Sequence, residues 1–353
     1  MPKQQAVELQ PFFHDKTVLV TGGTGSIGSQ IVKRLLLLTP KEVIVFSKDD
    51  SKQYVMKQKY ADEQRLSFVL GDVRDYRRVN QVMKGVDIVF HTAALKQVPT
   101  CEDNPFEAIQ TNLIGGQNVA EAALLQEVTH VINISTDKAV SPVNTMGATK
   151  LLSEKLFHQA NHHVQNRGTV FCSVRFGNVL GSRGSVIPIL FEQLMAGGPL
   201  TITDKNMTRF FMSIDDAATL TLQSAAITKG GETFIFKMES LRLEELLHGF
   251  EEYAFRHGLP RPAAVEVGKR PGEKLHEELT SPHETESLYE WGNLYAILPE
   301  PAKHPEFRKV NLPRYQSDQA PLITKDTIVK IIERLHEEKK HRKKACLIGR
   351  PHC

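Results

Sequence analysis

Cysteine is scarce in this chain, with four in 353 residues, at Cys101, Cys172, Cys346 and Cys353. Their spacing matches neither a disulfide framework nor a metal-ligand pattern, which fits a reducing cytoplasm. No apolar run reaches the roughly 18 residues of a spanning helix, and "MPKQQAVELQPFFHDK" lacks a signal-peptide core. Excess charge is missing too. The 44 Lys and Arg against 41 Asp and Glu leave a net charge of +3, too slight to argue for nucleic acid. Much of that excess lies in one tail, "HEEKKHRKKACLIGRPHC". No internal repeat is visible. The expectation is a soluble, cytoplasmic protein with no nucleic-acid and no membrane partner.

What remains is ordinary globular material, 41% apolar and 24% charged. The first half alternates β-branched runs with helical patterns. "KTVLVTG", "EVIVFS", "LSFVLGDV", "VDIVFHTAA", "HVINIST" and "GTVFCSVRFGNVLG" read as six strands, the first followed by a helix through "SIGSQIVKRLLLL". Strands separated by helix-length segments predict an α/β fold, a doubly wound parallel sheet of Rossmann type with helices on both faces. After about residue 180 the rhythm shortens and Pro and Gly increase. We expect a dinucleotide-binding domain over 1–180 and a smaller C-terminal substrate lobe over 181–335, with some segments returning to the first domain. Residues 336–353 read as a basic, disordered tail.

"TGGTGSIG" follows the first strand and opens a helix, with Gly22, Gly25 and Gly28 in G-x-x-G-x-x-G spacing. Glycines permit a tight turn and close backbone approach, and a helix N-terminus presents N–H groups to a pyrophosphate. Gly22, Thr24, Gly25, Ser26, Ile27 and Gly28 are therefore the candidate phosphate cradle. The second strand should end at the group that reads the adenosine ribose. A carboxylate there favours NAD, and a cation accommodates the extra phosphate of NADP. Here the tip reads "FSKDDSKQ", so Ser47, Lys48 and Lys52 favour NADP, although Asp49 or Asp50 would serve NAD. Asp72 and Val73 in "GDVRD" suit the adenine, and Ala93 in "HTAALK" lies where the fourth strand passes mid-dinucleotide.

The segment "STDKAVSPVNTMGATK" carries a hydroxyl step at a strand end, then a loop, then x-x-x-Lys on a helix. Together with "TGGTGSIG", "GDVRD", "HTAALKQVP", "RFGNVLGSRGSVIP", "TDKNMTRFFMS", "RPGEKLHEEL" and "LYAILPE", it makes the chain resemble the extended short-chain dehydrogenase/reductases. Within them it resembles the UDP-N-acetylglucosamine 4,6-dehydratases of capsule, O-antigen and flagellin glycosylation, over nearly its whole length. One residue departs from the superfamily. Where its members carry a tyrosine that takes the substrate's hydroxyl proton, this chain has Met146.

The resemblance implies bound NADP, regenerated each turnover, a UDP-N-acetylhexosamine such as UDP-GlcNAc as substrate, and a homo-oligomer of two or more chains. It also implies an acid–base pair in "TDK". Lys138 is the expected base at C5 and must be neutral to act, and Asp137 is the expected acid at C6, needing the opposite shift. Lys150, one helical turn after Met146, is expected to hold the nicotinamide ribose and the C4 oxygen. Asp137, Lys138, or Thr136 acting through a water are the candidate replacements for the tyrosine.

For the substrate, Lys96 in "ALKQVP" should face the sugar, and Asn178 in "RFGNVLG" suits the phosphates or the N-acetyl group. Arg209 and Arg270 can clamp a diphosphate, since a guanidinium fork matches phosphate oxygens, and Glu273 can accept from ribose hydroxyls. His158 and His162 stand four apart on a helix but lack a carboxylate or cysteine partner, so no metal is expected. Cys172 reads as a packed core thiol. Two rival functions remain, a nucleotide-sugar C4-epimerase and a non-catalytic NADP sensor. An epimerase would retain the tyrosine and has no use for an elimination pair.

Overall fold

Five consecutive buried residues, Thr17–Thr21, form the first strand of the computed structural model, which describes residues 7–182 and 185–347, the side chains of 338–347 excepted. A strand buried on both faces is what a parallel sheet covered by helices requires. The strands in chain order are β1 (Thr17–Thr21), β2 (Glu42–Ser47), β3 (Leu66–Leu70), β4 (Ile88–His91), β5 (His130–Ile134), β6 (Val170–Arg175), β7 (Asn178–Val179) and β8 (Leu200–Ile202). There follow β9 (Thr208–Met212), β10 (Thr233–Phe236), β11 (Glu239–Arg242), β12 (Ala264–Glu266), β13 (Leu288–Trp291), β14 (Leu294–Ile297) and β15 (Arg308–Lys309).

Ten of them make one sheet in the order β15-β13-β14-β10-β6-β5-β4-β1-β2-β3. From β3 to β10 every pairing is parallel, and β14, β13 and β15 extend the sheet antiparallel. The order 3-2-1-4-5-6 is the doubly wound arrangement, and the strand order reverses between β1 and β4, where such sheets bind ligands. The helix Ser26–Leu36 buries Gly28, Ile31, Val32, Leu35 and Leu36, a stripe at helical spacing.

The chain divides into two compact units. The first is Met1–Phe176, Ile214–Lys237 and Glu278–Tyr315, and it contains the whole ten-stranded sheet. The second is Gly177–Ser213, Met238–Glu277 and Gln316–Cys353, with a three-stranded sheet β11-β9-β7 and the pair β12-β8. Two sequence expectations change here. "GTVFCSVRFGNVLG" is not one strand, because β6 stops at Arg175 and Asn178 opens β7 in the other unit's sheet. The helix Lys325–Leu347 runs through most of the stretch expected to be a disordered tail from 336, and 348–353 lie outside the described residues. No described helix is long and apolar enough to cross a membrane.

At the carboxyl ends of the central strands, the sheet carries a polar row. Thr21, His91, Asn133 and Ser173 stand in register across β1, β4, β5 and β6, all buried. His91 Nδ1 bonds Thr21 Oγ1 at 2.9 Å, its ring stacks on Phe157, and its Nε2 has no hydrogen-bond partner among the described residues. Burial, and then the charge of Lys150, push His91 down to about 3. Its folded value lies below the unfolded one, so the unfolded chain binds the extra proton between pH 6.5 and 3 and stability falls as pH falls through that window. We expect wild-type unfolding free energy in urea to drop by roughly 2 kcal/mol from this group between pH 7 and pH 5. His91→Gln should lose correspondingly less over the same interval. An equal drop in both proteins would contradict it.

Candidate active site

The turn after β1 is built on backbone proximity. Gly22 has φ +64°, and a Cβ there would lie 2.8 Å from the backbone of Ala93 at the tip of β4. A Cβ on Gly28 would lie 2.5 Å from the Gly22 carbonyl oxygen. Gly25 caps the helix Ser26–Leu36 without a side-chain bond, and the N-terminus of such a helix presents backbone N–H groups that suit an anion. Ser26 and Ile27 occupy that first turn. The close-packed glycine turn, a helix start without a side-chain cap and the β1–β4 switch point together fit a dinucleotide pyrophosphate.

At the tips of β2 and β3 the cations are engaged by carboxylates. Lys48 Nζ lies 3.6 Å from Asp72 Oδ2, and Arg74 bonds the same oxygen at 2.7 Å while reaching Glu107 at 2.7 Å. Burial would raise the Asp72 carboxyl, but hydrogen bonds from Arg74 and the charges of Lys48 and Arg74 outweigh it and hold it low. Lys52 pairs instead with Asp49, whose side chain also caps the helix Asp50–Lys59 by accepting from Lys52 N. Ser47 Oγ is buried and accepts from Thr24 Oγ1 at 3.1 Å. Val73 is a core residue packed against Gly115. The cation pair at the tips of β2 and β3 is thus Lys48 with Arg74. Arg74 was legible in "GDVRD" but not singled out.

The segment after β5 is a short turn leaning on a helix. After β5, Thr136 caps the 3-10 turn Asp137–Ala139, accepting from Lys138 N, and Asp137 N donates to Phe176 O at 3.2 Å. Thr136 Oγ1 donates to Asp137 Oδ1 at 2.8 Å, and Lys138 Nζ donates to the same oxygen at 3.0 Å. Asp137 is fully buried, whereas the Lys138 side chain is 19% exposed. Asn144 caps the helix Thr145–Ala160 by accepting from Gly147 N. A Cβ on Gly147 would lie 2.1 Å from the Lys138 carbonyl oxygen.

On that helix Lys150 is buried and donates from Nζ to the Ile134 carbonyl at 2.7 Å. Burial pushes it down to about 8, with Glu154 opposing. Met146 is buried in a small cluster with Cys101 and Ala108, against Leu95 and Val98, so it is a packing residue. Asn112, on the π-turn Ile109–Ile114, pins the chain before Lys96 through both backbone groups of Leu95 and donates to Thr149 Oγ1. Such turns commonly mark functional sites. Lys96 itself is exposed.

The remaining substrate candidates belong to the second unit. Asn178 is half-buried on β7. Arg209 is mostly buried, donating to the carbonyls of Thr208 and Leu275 and lying 3.8 Å from Glu277, so much of its fork is spent internally. Arg270 is exposed, and the Glu273 carboxylate accepts from Arg270 N at 3.3 Å across a turn. His158 Nδ1 lies 3.0 Å from the Gly231 carbonyl oxygen, and Cys172 is a buried thiol pushed up by burial.

Residues 18–299 match a family model described as polysaccharide biosynthesis protein. A UDP-N-acetylglucosamine 4,6-dehydratase (inverting) of Campylobacter jejuni is 43% identical over 290 residues, 81% of this chain and 84% of its own. A UDP-glucose 4-epimerase of Rickettsia bellii is also 43% identical over 290 residues, covering 81% and 83%. Among solved structures, Pen from Bacillus thuringiensis is 40% identical, covers 92% of this chain and 98% of its own, and superposes with a TM-score of 0.86.

Proposed function

The chain belongs to the polysaccharide biosynthesis protein family of extended short-chain dehydrogenase/reductases that modify nucleotide sugars, and from that premise we propose that it is a UDP-N-acetylglucosamine 4,6-dehydratase using bound NADP. The observation that carries the reading is the Thr136–Asp137–Lys138 cluster, an acid, a base and a hydroxyl meeting at one oxygen. We assign the dinucleotide to the first unit, held by Gly22, Thr24, Gly25, Ser26, Ile27 and Gly28 at its phosphates. Asp72, Val73, Lys48 and Arg74 serve its adenosine end, and Ala93 and Lys150 its nicotinamide half. Lys48 and Arg74 support NADP over NAD, because a 2′-phosphate can share the cations that Asp72 now neutralises. When bound, the cofactor supplies the hydride acceptor for C4 and the donor for C6.

The residues then account for the protons. The reaction removes protons from the C4 hydroxyl and C5, and gives protons to the departing C6 oxygen and back to C5. As an ion pair 3.0 Å apart, Asp137 and Lys138 are in the wrong forms for elimination. Loss of the Lys138 proton to solvent gives the neutral amine. Oxidation at C4 comes first, and Thr136, donating to Asp137 at 2.8 Å, can accept the C4 hydroxyl proton as it passes its own on, which makes Asp137 the neutral acid. Lys138 then takes the C5 proton while Asp137 protonates the leaving hydroxyl. Lys138 afterwards returns its proton to C5, which restores the carboxylate and the amine. The relay through Thr136 to Asp137 fills the role of the missing tyrosine. Lys150 stabilises charge at the C4 oxygen, and Lys96, Asn178, Arg209, Arg270 and Glu273 remain the candidates for the UDP-sugar.

The 43%-identical epimerase supports a second reading, C4 epimerisation, which needs no elimination pair. Proton NMR of purified protein with UDP-GlcNAc in heavy water separates the two. The dehydratase yields a 4-keto-6-deoxy sugar bearing deuterium at C5 without added cofactor. UDP-GalNAc as the product would establish the epimerase instead.

A further inference from the structure

The buried carboxylate of Glu154 enters none of these steps. It stands four residues after Lys150, so both side chains leave one face of the helix Thr145–Ala160. It accepts from Ser135 Oγ and from Arg175 Nε at 3.0 Å and Nη2 at 2.6 Å. Arg175 is held in turn by the Leu279 carbonyl at 2.9 Å and by Glu284 at 3.0 Å. Glu154 is 5% exposed and Arg175 1%. Burying charges in this way costs several kcal/mol per ion, and apolar packing of similar volume is often as stable, so stability alone is a weak reason for the cluster.

Its placement offers a better one. Ser135 immediately precedes Thr136, Asp137 and Lys138, and its N–H donates to Val174 O at 2.7 Å. We propose that Glu154 is a positioning residue that grips the end of β5 through Ser135 and whose negative charge keeps Lys150 an ammonium. What that ammonium does for catalysis rests on the dehydratase reading; the charge relation does not.

The other groups around Lys150 contribute little net charge. His91, from β4, is neutral near pH 7. Asp137 and Lys138, on the turn packed against the helix, offset one another at 3.0 Å. Arg175, on β6, divides its charge between Glu154 and Glu284. Cys101 is pushed up by burial and stays a neutral thiol. Glu102 accepts from Thr145 N, Glu107 pairs with Arg74 and Glu121 accepts from Gln117, and all three are exposed and screened by water. Glu154 is the buried anion that opposes the desolvation of Lys150.

The test is an NMR titration of lysine labelled at Cε, with the Lys150 signal assigned by its absence in Lys150→Arg. In Glu154→Gln the Lys150 midpoint should fall by on the order of one pH unit. In Glu284→Gln, which also strips a carboxylate from Arg175, it should stay within a few tenths of a unit. If Glu154→Gln does not fold, the double variant Glu154→Leu/Arg175→Met removes the pair together, and its Lys150 midpoint should fall likewise. An unmoved midpoint in either Glu154 variant, or an equal shift in Glu284→Gln, overturns the proposal. The titration is readable whether or not UDP-GlcNAc is dehydrated, so a failed assay would sink the dehydratase reading and leave this result standing.

Discussion

Lys138→Ala should slow product formation by roughly 10²- to 10⁴-fold, the usual contribution of a positioned general base. The character of the loss matters more than its size. Oxidation at C4 precedes the step that needs Lys138, so the variant should still take the hydride and then stall. Reduced nicotinamide should accumulate, visible by its near-ultraviolet absorbance, while deuterium uptake at C5 stops. Asp137→Asn should act earlier, because the C4 hydroxyl proton then has no carboxylate to reach, so hydride uptake, C5 exchange and expulsion of water should all become slow together. Calorimetric binding of UDP-GlcNAc, unchanged in both, would exclude a general collapse of the site. Undiminished C5 exchange in Lys138→Ala would move the base elsewhere.

The pair was legible because its members are adjacent in sequence and sit between a strand and a helix signalled by local pattern. The cradle was legible for the same reason, since "TGGTGSIG" lies within one turn and its neighbours. Legibility ended where partners are far apart along the chain. The runs "TFIF", "LYEW" and "LYAI" are too short to announce strands, and although β13 and β14 form a local hairpin, that hairpin and β10 join the main sheet only through pairing with distant segments. The polar row from Thr21 to Ser173 reads in sequence as isolated small or polar residues, because only strand register brings them together. Arg175 reads as one residue in the middle of "GTVFCSVRFGNVLG", and nothing local connects it to Glu154 and Glu284. Lys52 is the opposite case. Asp49, three residues before it, is a helix-cap residue, and a capping reading of "KDDSK" would have drawn this lysine away from the cofactor.

Gly147→Ala should destabilise the protein by about 3 kcal/mol and lower the dehydration rate by on the order of 100-fold. Ordinary helix energetics predict the opposite sign. Gly147 is the third residue of the helix Thr145–Ala160 and has no positive φ, so alanine there should gain up to about 1 kcal/mol from propensity. The obstacle is spatial. The added Cβ would stand 2.1 Å from the carbonyl oxygen of Lys138 and 2.9 Å from its carbonyl carbon. Both atoms are backbone, so no side-chain rotation can relieve the overlap, and either the helix start or the acid–base turn must shift by more than an ångström. Movement of the turn carries Asp137 and Lys138 away from the sugar, and misplacement of that size typically costs 10²-fold in rate. Urea unfolding and the C5 exchange assay read the two effects separately. A Gly147→Ala protein more stable than wild type and fully active would mean that helix and turn do not approach this closely, and that the placement of Lys138 is not set by the missing side chain.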